Sequence, residues 1–158
     1  MVLGFGMSQF FILSPRGDCV ISKDFRGDAA PDMHDTFFRH VKLSEINSPP
    51  LFHIDGVTFA FILRNNLLIA CTTRFNVQPA AALELLHRIA TVFKDYCGVL
   101  TEESLRLNFI LCYELLDEMI DFGYPQITST SELKKHVYNE PITVKNEGGM
   151  AASLLSSM

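Results

Sequence analysis

Four carboxylates on one predicted helix are the first candidates for chemistry in this sequence. They are Glu114, Asp117, Glu118 and Asp121. Acids spaced by three or four residues share a helix face, where a pair can act as acid and base or bind a hard cation. None of the five histidines stands beside them at metal-ligand spacing. Because unpaired charges are seldom buried, we interpret the set as a solvated acidic face.

The sequence offers no other setting that would activate a nucleophile or cradle a nucleotide. Ser14 and Ser22 lie outside any G-x-S-x-G elbow, and the scattered glycines form no phosphate-binding G-x-x-x-x-G-K-[ST] loop. The tripeptide Arg16-Gly17-Asp18 is typical of a turn. We therefore expect that the chain is not an enzyme and holds no cofactor or metal ion.

The composition narrows the class of protein. A chain of 158 residues, 48% of them apolar, can bury one domain-sized core without metal or disulfide. A formal net charge of -5 without a basic block argues against nucleic acid as a partner. No apolar run reaches the roughly 20 residues that span a bilayer, and Met1–Met7 lacks the basic region of a signal peptide. The cysteines stand in separate apolar segments, as reduced core residues of a cytosolic protein do: Cys19, Cys71, Cys97 and Cys112.

The first half of the chain predicts two groups of strands with a helix between them. Turn-forming residues separate two β-rich runs, Phe10–Leu13 and Cys19–Phe25, which predicts a hairpin. Apolar residues recur at helical spacing after Asp32, a candidate cap, and this helix ends before Pro49. A meander of three strands joined by two tight turns follows. The strands are Leu51–Ile54, Val57–Arg64 and Leu67–Thr73, and the turns are Asp55-Gly56 and Asn65-Asn66.

The second half of the chain predicts three helices. Pro79 precedes a helix over Ala80–Cys97, which divides cleanly into an apolar and a polar half. Thr101 can cap a second helix, Glu102–Phe122, and a short helix follows over Ser131–Tyr138. The order β-β-α-β-β-β-α-α, with the short last helix, predicts an α+β fold. Its five-stranded antiparallel sheet is covered on both faces, as a three-layer α-β-α sandwich.

The predicted helix Glu102–Phe122 carries more apolar surface than one helix face needs. Its main stripe can pack on the sheet and comprises Leu105, Phe109, Cys112, Tyr113, Leu116, Met119 and Ile120. Four further apolar residues fall on its flanks or its opposite side: Leu107, Ile110, Leu111 and Leu115. They can contact a neighbouring helix of the same domain, or form an exposed patch that binds a second protein. We treat these four as candidate partner-binding residues of an assembly module.

Six segments spread over most of the chain match a known family. They are Met7-Ser-Gln-Phe-Phe-Ile-Leu-Ser, Arg16-Gly-Asp, Lys23-Asp-Phe-Arg-Gly, Glu84-Leu-Leu-His-Arg-Ile-Ala, Asp95-Tyr-Cys-Gly-Val-Leu and Tyr113-Glu-Leu-Leu-Asp-Glu-Met-Ile-Asp-Phe-Gly-Tyr-Pro-Gln. With them, about residues 7–145 resemble the longin-type N-terminal domain of the medium (mu) subunits of heterotetrameric clathrin-adaptor-type complexes. Ser8-Gln-Phe-Phe and Thr128-Ser-Thr-Ser-Glu-Leu-Lys are most similar to the mu subunits of the fourth adaptor complex.

The resemblance implies a fold and a role. The fold would be longin-like, which is also described as profilin-like. The domain would bind a large beta-type adaptor subunit and, with the other subunits of the heterotetramer, build a coat that sorts cargo in vesicle-mediated transport. Such a protein would be cytoplasmic and would associate indirectly, through the complex, with trans-Golgi network and endosomal membranes.

The resemblance also divides the chain and leaves an alternative open. Residues 1–6 would be an N-terminal extension, 7–140 the longin-type domain and 141–158 a linker or disordered tail. The C-terminal β-rich domain with which mu subunits recognise tyrosine-based sorting signals is absent from the sequence, so we expect no cargo recognition in these residues. A sigma-type small adaptor subunit or a longin-type trafficking regulator shares the fold and is the alternative.

Overall fold

Seven strands and five helices account for most of the chain that the structure describes. The structure, a computed structural model, covers residues 6–44, 48–74, 78–126, 128–137 and 139–142. The strands are β1 (Gln9–Leu13), β2 (Cys19–Asp24), β3 (Leu51–Ile54), β4 (Val57–Arg64), β5 (Leu67–Thr73), β6 (Ile120–Asp121) and β7 (Tyr124–Pro125). The helices are α1 (Met33–Leu43), α2 (Pro79–Cys97), α3 (Glu102–Leu107), α4 (Phe109–Met119) and α5 (Thr130–Leu133). The predicted extension and tail fall almost wholly outside these residues, so the domain boundaries stay predictions.

The first five strands form one antiparallel sheet in the order β2-β1-β5-β4-β3, which confirms the predicted sheet. Strands β3, β4 and β5 have the bounds predicted for the meander. Both connecting turns contain only residues at positive φ, 50° and 79° at Asp55-Gly56 and 50° and 63° at Asn65-Asn66. Such turns match the twist of the flanking strands, so they fix the register locally.

Helices cover both faces of the sheet, as the three-layer sandwich predicts. Because successive side chains of a strand point to opposite faces, β1 places Phe10 in the core beneath α2 and Phe11 in a second core beneath α1. In this second core the ring centroid of Phe37, from α1, lies 5.3 Å from that of Phe11 and 6.0 Å from that of Phe52. Aromatic packing of this kind stabilises the layer beyond its buried area.

The helix ends confirm one predicted cap and correct another. Thr101 caps α3, because its Oγ1 accepts a hydrogen bond of 3.2 Å from the backbone N–H of Ser104. The predicted side-chain cap at Asp32 is wrong: its carboxylate makes no capping bond, and its backbone carbonyl accepts from the Asp35 N–H at 3.1 Å. The Asp32 backbone (φ -100°, ψ 25°) departs from the extended conformation usual for a capping residue.

Helix α2 has the predicted position and the predicted two-sided character. It begins at Pro79, ends before Gly98 at φ 83°, and buries its apolar half in the core. The buried half comprises Ala82, Leu85, Leu86, Ile89, Ala90, Val92, Phe93, Tyr96 and Cys97. Neither α2 nor any other helix in the described ranges has the length and hydropathy that a bilayer-spanning helix requires.

The predicted single helix Glu102–Phe122 is wrong in two places. It is interrupted at Asn108 (φ -111°, ψ 26°), which separates α3 from α4. It then ends at Met119, because Ile120 is extended and pairs with Pro125 in the two-stranded sheet of β6 and β7. Helical periodicity continues through both positions in the sequence, whereas the interruptions are held by contacts with other segments.

The predicted last helix, Ser131–Tyr138, is shorter and begins earlier. Helix α5 covers only Thr130–Leu133 and continues as turns, in which the N–H of Lys135 bonds the carbonyl of Glu132. Leu133 and Val137 are buried, and α5 packs against α2 and α4. Tyr138 lies outside the described residues.

Candidate partner-binding surface

Asn108 forms the junction between α3 and α4, and hydrogen bonds hold it there. Its backbone N–H bonds the Ser104 carbonyl at 3.1 Å, and its own carbonyl accepts from the Cys112 N–H at 2.9 Å. Its side-chain Nδ2 also donates to the Ser104 carbonyl at 2.8 Å. Asparagine favours such local side-chain bonds over a helix interior, which fits the interruption of the helix at this residue.

The junction separates the four candidate partner-binding residues into two pairs. Leu111 and Leu115 lie in the core, with only 4% and 0% of their surface exposed, so their place on the candidate surface is corrected. The cause is α4, whose buried residues pack between α2 and the short α5. Leu107 and Ile110 are 46% and 64% exposed, so they remain available to a partner. The apolar surplus is therefore divided: one pair packs in the core and the other pair is exposed.

Two exposed apolar residues beside the junction are absent from the sequence-based set. Phe109, predicted to pack on the sheet, is 51% exposed at the first position of α4. Ile142 is 56% exposed and lies beyond the predicted helices. Asn108, a residue type that favours helix caps, stands inside the apolar run and was the one sequence signal that Phe109 is exposed. No nearby sequence feature indicates the exposure of Ile142. We call Leu107, Phe109, Ile110 and Ile142 together the junction surface.

Three residues of the junction surface, Leu107, Ile110 and Ile142, line a shallow hollow of about 190 Å³. Its lining comprises Leu107, Asn108, Ile110, Leu111, Asn139, Glu140 and Ile142. Leu107 also borders a second hollow on the α3 side, where Arg106 pairs with Glu102 at 3.0 Å between Nη2 and Oε1. An apolar centre with a charged rim is the usual composition of a protein-binding surface.

The four carboxylates of the acidic face take ordinary structural roles. Lys23 Nζ lies 2.9 Å from Asp117 Oδ1, and Asn139 Nδ2 donates to Glu114 Oε2. Glu118 and Asp121 are exposed. Within the described part of the chain, no three side chains of His, Cys, Asp or Glu come together as metal ligands. This arrangement agrees with a solvated face.

The candidate nucleophiles are also engaged in the fold. Ser14 Oγ accepts from the backbone N–H of Asp18 at 3.1 Å, inside the hairpin turn between β1 and β2. All four cysteines are free thiols, and burial raises the pKa of Cys71 to about 12. A hydrogen bond with Cys112 lowers the pKa of Cys97, but only 2% of Cys97 is exposed. Buried thiols of this kind pack as small apolar residues.

Sequence comparison relates the chain to adaptor subunits. No family model matches it. The AP-4 complex subunit mu of Arabidopsis thaliana is 51% identical over 142 residues, which cover 87% of this chain and 32% of the relative. The AP-4 complex subunit mu of Dictyostelium discoideum is 44% identical over 140 residues, covering 89% of this chain and 26% of the relative. The human AP-4 complex subunit mu-1 is 45% identical over 141 residues, covering 88% and 31%.

Structure comparison supports the fold. A chain of a homology model of the full-length AP-3 complex in a stretched open conformation matches with a TM-score of 0.57 and 13% identity, covering 96% of this chain and 98% of that one. A second AP-3 homology model, in an intermediate open conformation, also gives 0.57, at 14% identity, covering 77% of this chain and 31% of that one. The longin-like architecture is thereby supported. The chain spans about a third of the length of its AP-4 relatives, and by sequence it is a homologue of the N-terminal part of AP-4 complex mu subunits.

Proposed function

We propose that this chain is an assembly subunit of a heterotetrameric adaptor coat complex that acts in vesicle-mediated protein transport and cargo sorting. The observation that carries this proposal is the 51% identity over 142 residues with a protein named AP-4 complex subunit mu. The relatives extend far beyond the matched region, so the role that we assign to these residues is assembly. Each relative named above is a mu subunit, so a sigma-type subunit or a longin-type regulator is not favoured.

The partner in this proposal is the large beta-type subunit, and the junction surface is its binding site. In support, four large apolar side chains stand exposed at the junction, and three of them, Leu107, Ile110 and Ile142, line one hollow. Because each is already about half buried, covering the rest of each side chain would contribute on the order of 1 kcal/mol. Leu107 and Ile110, on the two sides of Asn108, would be the central contacts.

An assembly role requires no catalytic group and no cofactor, so we propose that the chain is not an enzyme. Membrane association would be indirect, through the other subunits of the heterotetramer. The complex would then act from the cytoplasm at trans-Golgi network and endosomal membranes.

Co-expression tests this function. The full 158-residue chain is produced with large beta-type and sigma-type adaptor subunits, and we expect co-elution with the beta-type subunit in size-exclusion chromatography. Leu107→Asp and Ile110→Asp should each weaken the complex at least tenfold in Kd, roughly the loss of one buried anchor residue. Leu63→Asp is the matched control, because Leu63 is 63% exposed but lies on β4, away from the junction.

Two outcomes would count against the proposal in different ways. If the chain fails to associate with beta-type subunits from any adaptor complex, the assembly function is wrong. If a complex forms but Leu63→Asp weakens it and the two junction variants do not, the function stands and the binding site is elsewhere.

A further inference from the structure

The side chain of Asn108 is bonded to a segment far along the chain. Asn108 is only 4% exposed. Its Oδ1 accepts from the backbone N–H of Ile142 at 2.6 Å, and its Nδ2 donates to the carbonyl of the same residue at 2.9 Å. One carboxamide thus pairs with both backbone groups of Ile142, as a neighbouring strand would. A side chain needs both a donor and an acceptor to do this, and asparagine has them in a fixed geometry.

A second contact holds the same segment against α4. Asn139, which stands three residues before Ile142, donates from its Nδ2 to Glu114 Oε2. We call residues 139–142 the strap. It lines the junction hollow through Asn139, Glu140 and Ile142, opposite Leu107 and Ile110. The Ile142 side chain belongs to the junction surface only while the strap is in this place.

We propose that Asn108 is a positioning residue for partner binding: by bonding both backbone groups of Ile142, it keeps the strap in the surface that the beta-type subunit binds. This inference rests on the proposed function, since it concerns the same surface. Asn108 lines the hollow but is only 4% exposed, so it offers a partner almost no surface of its own. It acts through Ile142, whose exposed side chain completes the apolar ring around the hollow.

Replacing Asn108 by alanine separates positioning from helix stability. Alanine has the higher helix propensity, and the backbone bond from the Cys112 N–H to the carbonyl of residue 108 does not involve the side chain. The variant Asn108→Ala should therefore keep α4 while releasing Ile142. The backbone bond of Cys112 reports the start of α4, so its amide protection separates a loss of binding through the strap from a change at the junction itself.

The test is a pair of double-mutant cycles in the full chain, with the Kd for the large beta-type subunit as the readout. We expect Asn108→Ala and Ile142→Ala each to weaken binding about fivefold to tenfold, and the double variant to bind no more than about twofold worse than Ile142→Ala. The control cycle combines Asn108→Ala with Ile110→Ala, whose effects should multiply because the side-chain bonds of Asn108 go to Ser104 and Ile142 and not to Ile110. Multiplying losses in both cycles would overturn the positioning role.

Amide hydrogen exchange of the chain alone gives a readout without the partner. The Ile142 amide should be protected in the unsubstituted chain and exchange at least tenfold faster in Asn108→Ala, while the Cys112 amide stays protected. An unprotected Ile142 amide in the unsubstituted chain would overturn the inference. Failure of the unsubstituted chain to bind a beta-type subunit would overturn the proposed function, whereas binding with multiplying losses would overturn this inference alone.

Discussion

At the scale of single residues, Gly123 shows how closely the turn between β6 and β7 packs against the segment that leads into β1. It lies at φ 88° in the turn between β6 and β7, and its carbonyl accepts from the Met7 N–H at 2.8 Å. A Cβ at this position would collide with the backbone carbonyl of Met7. Glycine is therefore required both for the backbone conformation and for the approach of the segment that leads into β1.

Gly123→Ala should destabilise the fold more than the same change at another positive-φ glycine. Gly56 has φ 79° with open space around it, so Gly56→Ala should cost about 1 kcal/mol for backbone strain alone. Gly123→Ala adds the collision with Met7 and should cost at least about 2 kcal/mol more. Urea unfolding at equal m-values measures both. Equal losses of unfolding free energy in the two variants would show that the Met7 segment moves away from the added methyl group without destabilising the fold.

At the scale of elements, the interrupted pair α3 and α4 divides one apolar sequence between the core and the surface. Leu115→Ala leaves a void in a fully buried site and should lower the free energy of unfolding by about 2–5 kcal/mol. Ile110→Ala, on the exposed side of the same helix, should change it by less than about 1 kcal/mol. Urea denaturation of the two variants provides the comparison. Similar losses would contradict the orientation of α4.

The same elements show which parts of the fold the sequence could predict. The meander β3–β5 was predicted to the residue because its turns have two residues each and act locally. The interruption at Asn108 was not, because only the side-chain bond to Ser104 is local, whereas the two bonds to Ile142 join residues 34 positions apart. Apolar periodicity placed Leu107 and Ile110 outside the main stripe, and both are exposed. Periodicity could not assign Leu111 and Leu115 to the core, because that assignment depends on where α5 packs.

At the scale of the whole molecule, a buried thiol links stability to pH. Burial raises the pKa of Cys71 to about 12 from an ordinary value of 9.0, so between these values the unfolded chain releases a proton that the folded chain keeps. The contribution of the protonated Cys71 thiol to the free energy of unfolding is fully present below pH 9 and is lost as pH rises towards 12. Through this thiol, the free energy of unfolding falls by at most about 1.4 kcal/mol per pH unit.

Cys71→Ala should therefore make the alkaline loss of stability shallower. Urea unfolding at several pH values from 8 to about 11 gives the two slopes, and the difference should appear only above about pH 9. Cys19→Ala is the comparison: burial raises the pKa of this thiol too, but Cys19 is only partly buried, so its replacement should flatten the loss of stability less than Cys71→Ala does. Parallel curves for the Cys71 variant and the unsubstituted chain would contradict the linkage.

The position of β1 inside the sheet has a consequence for synthesis of the chain. β1 pairs with β2 next to it in sequence, but its other neighbour is β5, where Leu13 faces Leu68 and Gln9 faces Thr72. β5 leaves the ribosome roughly 60 residues after β1, which takes about 3–12 s at ordinary elongation rates. Throughout that interval the first hairpin has an unpaired edge and Phe10 and Phe11 on opposite faces, so the nascent chain needs protection from aggregation until residue 73 has emerged.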